Sequence, residues 1–163
     1  MKKQLSTSKN TSKIYRKGVG IILLNEEGKI FAGQRFDKDK AAWQMPQGGI
    51  DKGEDFLKAA YRELDEETSV KNVKLIKELE GMLTYELPDY LLGVIWKGKF
   101  RGQTQKWFLM RFIGDDEEIN IKTKNPEFLD WKWIEIDHIT NVVVDFKLNV
   151  YKELKEKVKK IIN

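Results

Sequence analysis

The sequence predicts an α/β protein built on a mixed β-sheet with helices packed against it. Three observations carry that expectation: several short apolar, β-branched and aromatic runs separated by turn signals, one helical pattern in the middle of the chain, and a second at its end. At 163 residues the chain has the length of one domain with a sizeable core.

Residues 1–13, MKKQLSTSKNTSK, offer almost nothing to bury, which predicts a flexible basic tail ahead of a single domain over 14–163. The fold is expected to begin at Tyr15. GVGIILL is a compact apolar strand, NEEGK supplies a turn with Gly28, and KIFAGQR returns antiparallel to it. DKDKAAWQMPQGG reads as loop, ended by Pro46 and the Gly48–Gly49 pair. From Asp55 to Thr68 the period becomes helical, with Leu57, Ala60, Tyr61 and Leu64 forming one apolar stripe. VKLIKEL, MLTYEL, KWFLMRFI and DWKWIEI are further strands by composition. Val150, Leu154, Val158 and Ile161 or Ile162 repeat at helical spacing in a lysine-rich background, closing the chain with a helix.

The composition narrows the chemistry. The chain holds no cysteine, which excludes disulfides, thiolate catalysis and cysteine-ligated metal sites, and fits a reducing compartment such as the cytoplasm. No run of about 18 apolar residues and no signal-peptide pattern occurs, so no membrane association is expected. A net charge of +4 and a pI near 9.0 suggest an anionic partner, and a single histidine, His138, makes no triad.

The central helix poses the functional question. In RELDEE, residues Glu63, Glu66 and Glu67 stand at i, i+3 and i+4, outside the apolar stripe, so that the acidic side faces an opening. Like charges at that spacing cost a helix about 0.2–0.5 kcal/mol per pair. One reading is a solvated acidic face balanced by Lys58 and Arg62. The other is a divalent cation, Mg2+ or Mn2+, which turns mutual repulsion into shared attraction and is commonly held by a few carboxylates plus substrate phosphates.

The wider pattern decides between them. Gly48, Glu54 and the run Arg62-Glu63-Leu64-Asp65-Glu66-Glu67-Thr68-Ser69-Val70 are similar to the Nudix box, G-x5-E-x7-R-E-U-x-E-E-x-G-U, at every fixed position except the last glycine, which is Ser69 here. The resemblance implies the Nudix fold, a mixed curved sheet sandwiched between helices in an α/β/α arrangement. It implies Glu63, Glu66 and Glu67 as metal ligands and catalytic groups, Gly48 as close backbone at the metal, and Glu54 with Arg62 as a brace between loop and helix. The departure at Ser69 bears on the turn after the helix more than on the chemistry.

Outside the box, WQMPQGG, GQTQKWF, NPEFLDWKW and VVVDFKLNVY resemble the bacterial RNA pyrophosphohydrolases and the related dinucleoside polyphosphate hydrolases, from Tyr15 to about Tyr151. That resemblance implies Glu127 as a further acidic residue at the metal, base or ligand. It implies Arg16, Arg35 and Lys40 as phosphate-binding cations, and Gln103, Gln105 and Lys106 as a polar strand beside the substrate. Phe146 and Lys147 correspond to a base-stacking position, although Phe146 also fits simple packing at the start of the last helix. The implied partner is 5′-triphosphorylated RNA or a dinucleoside polyphosphate such as diadenosine tetraphosphate, with a monomer as the working expectation. A Nudix-like module that binds nucleotide or RNA ends without cutting is the reading from another class, disfavoured because all three box glutamates are present.

Overall fold

The computed structural model describes residues 14–36 and 42–162. The expected tail and the loop residues Lys38 and Lys40 lie outside the described residues.

Strands β1 (Tyr15–Leu24), β2 (Ile30–Arg35), β3 (Trp43–Gln44) and β4 (Gln47–Gly49) precede helix α1 (Phe56–Thr68). After it come β5 (Val73–Glu78), β6 (Leu83–Glu86), β7 (Gly102–Phe112) and β8 (Phe128–Ile134), then α2 (Ile139–Val142) and α3 (Leu148–Ile162). The segment read as pure loop contains two short strands, because Gln47–Gly49 pairs along β1 and Trp43–Gln44 along β2.

The eight strands form one sheet with β3-β2-β1-β7-β5 as its main path, β4 also on β1, β6 on β7 and β8 on β2. β1 runs parallel to β7 from Tyr15↔Gly102 to Leu24↔Arg111, while its pairings with β2 and β4 are antiparallel, so the sheet is mixed. β1 is buried from Gly18 to Leu24, as a strand covered on both faces must be. Period-2 alternation sends Val19, Ile21 and Leu23 to one core with Ala59, Ala60 and Leu64 of α1. Ile22 and Leu24 face the other core, with Val150, Tyr151, Leu154 and Val158 of α3. The expected α/β/α class follows from these two faces.

α1 begins at Asp55, whose carboxylate accepts from the Lys58 N–H at 2.8 Å. It ends at Ser69, which adopts the left-handed conformation at φ 66° and donates its N–H to the Asp65 carbonyl. The Ser69 hydroxyl donates to the Asn120 carbonyl at 2.8 Å, so the turn survives without the glycine. The apolar stripe is shifted from the expected one: Ala59 is buried while Tyr61 is exposed, because the helix meets the sheet through its small residues. Trp131 and Trp133 pack around Phe31 at ring separations of 5.6 and 6.1 Å, as core-side aromatics. No described helix is long and apolar enough to cross a membrane.

Candidate active site

The open rim of the sheet carries a cleft of about 1020 Å³. The box helix supplies Glu63, Glu66 and Glu67 to its wall, the β4 turn supplies Gly48 and Gly49, and the segment before β8 supplies Glu127. Arg16 of β1, Arg35 of β2 and Phe146 and Lys147 before α3 line the same cleft. Residues up to 131 positions apart in sequence thus converge on one opening, as the resemblance implied.

Glu67 departs from the picture of a solvent-facing acidic side: it is only 5% exposed. Its Oε1 accepts from the Gln47 N–H at 3.3 Å. Burial first, then the charges of Glu63 and Glu127, push its carboxyl well above the usual glutamate range. Burial also raises Glu63, against the pull of Arg62, and the two carboxyls lie close enough to share a proton. Gly48 makes this arrangement sterically feasible. A Cβ there would stand 2.0 Å from the Glu63 carboxyl carbon.

The brace is built as expected. Arg62 Nε and Nη2 donate to the two oxygens of Glu54, each at 2.8 Å, and Nη2 also donates to the Gly49 carbonyl at 2.9 Å. The Arg62 guanidinium and the Asp51 N–H hold the Glu54 carboxyl down to about 2. Arg62 Nη1 donates to Glu63 Oε1 at 2.8 Å and to Glu66 Oε2 at 3.2 Å, standing as an internal cation between them. In these side-chain positions no three acidic or histidine residues among the described residues form a ready metal cage. The donor chemistry nevertheless fits a hard divalent cation: the carboxylates are oxygen donors, and the Glu63–Glu67 pair, raised above the usual glutamate range by burial, gathers negative charge that such a cation would offset.

On the opposite wall Gln44 Oε1 accepts from Arg35 Nη1 at 3.0 Å and from the buried Lys147 Nζ at 2.9 Å, gathering two cations around one amide oxygen. Phe146 packs on Tyr85 at 5.6 Å between ring centroids and lines the cleft. The polar strand requires correction. Gln103 and Gln105 are 0% and 1% exposed and are not part of the cleft wall. Gln105 Nε2 instead donates to Gln47 Oε1 and Gln103 Oε1, so β7 alternation points these amides under the β4 turn. Lys106 points the other way and pairs with Glu78 at 3.3 Å. Lys40 lies outside the described residues.

Sequence reading missed Gln44, Gln47, Tyr85, Trp96 and Tyr151. Gln44 and Gln47 stand three positions apart around Pro46 in WQMPQGG, a spacing that carries no period-2 strand signal. The Tyr151 hydroxyl accepts from the Met45 N–H at 2.8 Å, tying α3 to the cleft loop across 106 residues, and no local pattern announces that bond.

Residues 14–154 match the model of the NUDIX domain family. The chain belongs to that family. It is 66% identical over 148 residues to a protein of Pelagibacter ubique (strain HTCC1062) named RNA pyrophosphohydrolase, covering 91% of this chain and 94% of that one. A protein of the same name from Rhodospirillum rubrum is 49% identical over 140 residues, covering 86% of this chain and 84% of that one. Among solved structures, the E. coli dihydroneopterin triphosphate pyrophosphohydrolase superposes with a TM-score of 0.68 at 19% identity, covering 89% of this chain and 99% of that one. A C. elegans Ap4A hydrolase binary complex gives 0.62 at 19% identity, covering 89% and 98%. At such identities the superpositions establish the fold alone.

Proposed function

We propose that the chain is a divalent-cation-dependent RNA pyrophosphohydrolase that converts 5′-triphosphate RNA ends to 5′-monophosphate ends, acting in the cytoplasm. The observation that carries this reading is one cleft joining the buried Glu67 and part-buried Glu63, four basic side chains and an aromatic wall. The high identity to relatives named RNA pyrophosphohydrolase supports RNA as the substrate.

Glu63, Glu66, Glu67 and Glu127, with the backbone at Gly48, are the donors that would hold magnesium or manganese. Such a cation, when bound, supplies Lewis-acid stabilisation of phosphate oxygens and acidifies water. The protein's own groups do the remaining work. Arg16, Arg35 and Lys147 neutralise and align the polyphosphate, and Phe146 with Tyr85 offers a ring face to the first base. Water forms a new oxygen–phosphorus bond, an anhydride oxygen–phosphorus bond breaks, and pyrophosphate or successive orthophosphates leave. Glu127, on the cleft wall, is the candidate to take the water's proton where it does not itself serve as a further metal donor. The Glu54–Arg62 brace keeps β4 against α1 throughout.

The test is product analysis on 5′-triphosphorylated RNA with magnesium, with chelator, and with Glu67→Gln. Monophosphorylated RNA formed only by the wild type with metal is the expected result. Undiminished turnover by Glu67→Gln would remove the carboxylate assignment.

A further inference from the structure

Residues 87–101 make an excursion between β6 and β7 whose inner side borders the cleft. Within it Trp96, Lys97 and Gly98 all have positive φ, at 52°, 58° and 70°. Two adjacent non-glycine residues in that region are strained, and such strain persists only where the surroundings over-determine it, often at ligand clamps. Here the surroundings are visible. Phe100 meets the Trp96 ring edge-on at 6.2 Å, and the Gly98 N–H donates to the Ile95 carbonyl at 2.9 Å.

The strained turn presents the half-buried indole to the cleft, and the Arg16 guanidinium carbon lies 5.1 Å from its ring centroid. The same guanidinium lies against Gly49, where a Cβ would come 2.3 Å from Arg16 Nη2. Arg16 therefore has an aromatic face and bare backbone as neighbours. No carboxylate or carbonyl among the described residues accepts a hydrogen bond from it. Arg62, by contrast, spends its donors on Glu54, Glu63, Glu66 and Gly49.

We propose that Trp96 is a positioning residue for Arg16: its indole holds the guanidinium by a cation–π contact that uses none of the N–H donors and leaves them for the phosphate chain. This rests on Arg16 as a phosphate-binding group. A carboxylate in the place of Trp96 would hold Arg16 equally well but would occupy the donors and repel the substrate.

The test is calorimetric binding of inorganic triphosphate, at constant free magnesium, to the wild type, W96F, W96L, R16A and the R16A/W96L double variant, alongside KM and kcat on 5′-triphosphorylated RNA. Inorganic triphosphate has no base and its binding needs no turnover, so the readout stands whether or not RNA is the substrate. W96L is expected to weaken triphosphate roughly fivefold and to raise KM similarly with kcat nearly unchanged, while W96F restores most of the loss. The double variant is expected to be no weaker than R16A. Additive losses, or a KM effect on RNA with triphosphate binding intact, would overturn the proposal by making Trp96 an independent contact with the nucleotide. Undiminished triphosphate binding by R16A would overturn it at its base, while turnover of 5′-triphosphorylated RNA by the wild type tests the proposed function separately. Should W96L melt early, the graded response of W96F carries the same comparison.

Discussion

Gly48 and Glu63 approach so closely that a single added carbon at residue 48 would lie 2.0 Å from the Glu63 carboxyl carbon. Backbone and carboxylate are therefore fitted to each other across β4 and α1. Gly48→Ala is expected to push Glu63 off its position and lower kcat/KM by roughly 100-fold, the scale of an ångström misplacement at a reacting centre. Gly28→Ala is the counterpart: φ is +77° and nothing lies within 4 Å of the added carbon. It is expected to cost about 1–2 kcal/mol of stability and no activity. Thermal melts and steady-state kinetics on both variants separate the two effects.

The Glu63–Glu67 pair makes stability depend on pH in an uncommon direction. Both carboxyls are raised above 4.5 by burial, so the native state holds protons that the unfolded chain releases. Stability of the metal-free protein from this pair is fully present below 4.5 and is lost as the pH rises toward the raised native values. A divalent cation offsets that loss by replacing the proton, so magnesium is expected to raise Tm more at pH 8 than at pH 5. Glu67→Gln is expected to raise the metal-free Tm at pH 8 and to blunt the response to magnesium. Differential scanning calorimetry across pH with and without metal checks both.

Glu54 contributes with the opposite sign. Its carboxyl is lowered from 4.5 to about 2, chiefly by Arg62, so its contribution is complete above 4.5 and disappears as the pH falls through about 2. The stability gap between wild type and Glu54→Gln is expected to narrow over that interval. Arg62→Lys loses the fork that grips Glu54 and Gly49 together and is expected to lower kcat/KM by roughly 10- to 100-fold.

Tyr151 anchors the cleft loop from the far helix. Tyr151→Phe leaves the buried Met45 N–H without its acceptor, a loss on the order of 1–3 kcal/mol. The measurement is a denaturant melt, with a lowered midpoint and an unchanged slope expected.

Six of the strands, the helices α1 and α3 and the acidic run were legible because they rest on local periodicity: β1 alternates between two cores, and Asp55 caps α1 where the period changes, whereas β3, β4 and the short α2 were not. The burial of Glu67 was not. A helical wheel places it outside the apolar stripe, and only the folding of β4 over α1 covers it. Gln103 and Gln105 carry the chemistry of a substrate contact, yet their facing is set by the register of β7 on β1, a non-local property. Trp96 and Tyr151 likewise act through contacts formed 80 and 106 residues away, with Arg16 and Met45.

The most direct measurement is kcat/KM on 5′-triphosphorylated RNA beside diadenosine tetraphosphate, with magnesium, using the same purified protein. A much higher value on RNA, with the terminal phosphates released and a 5′-monophosphate end remaining, is the predicted result. A preference for the dinucleotide, or no turnover of RNA at all, would contradict the assignment of this cleft to RNA ends.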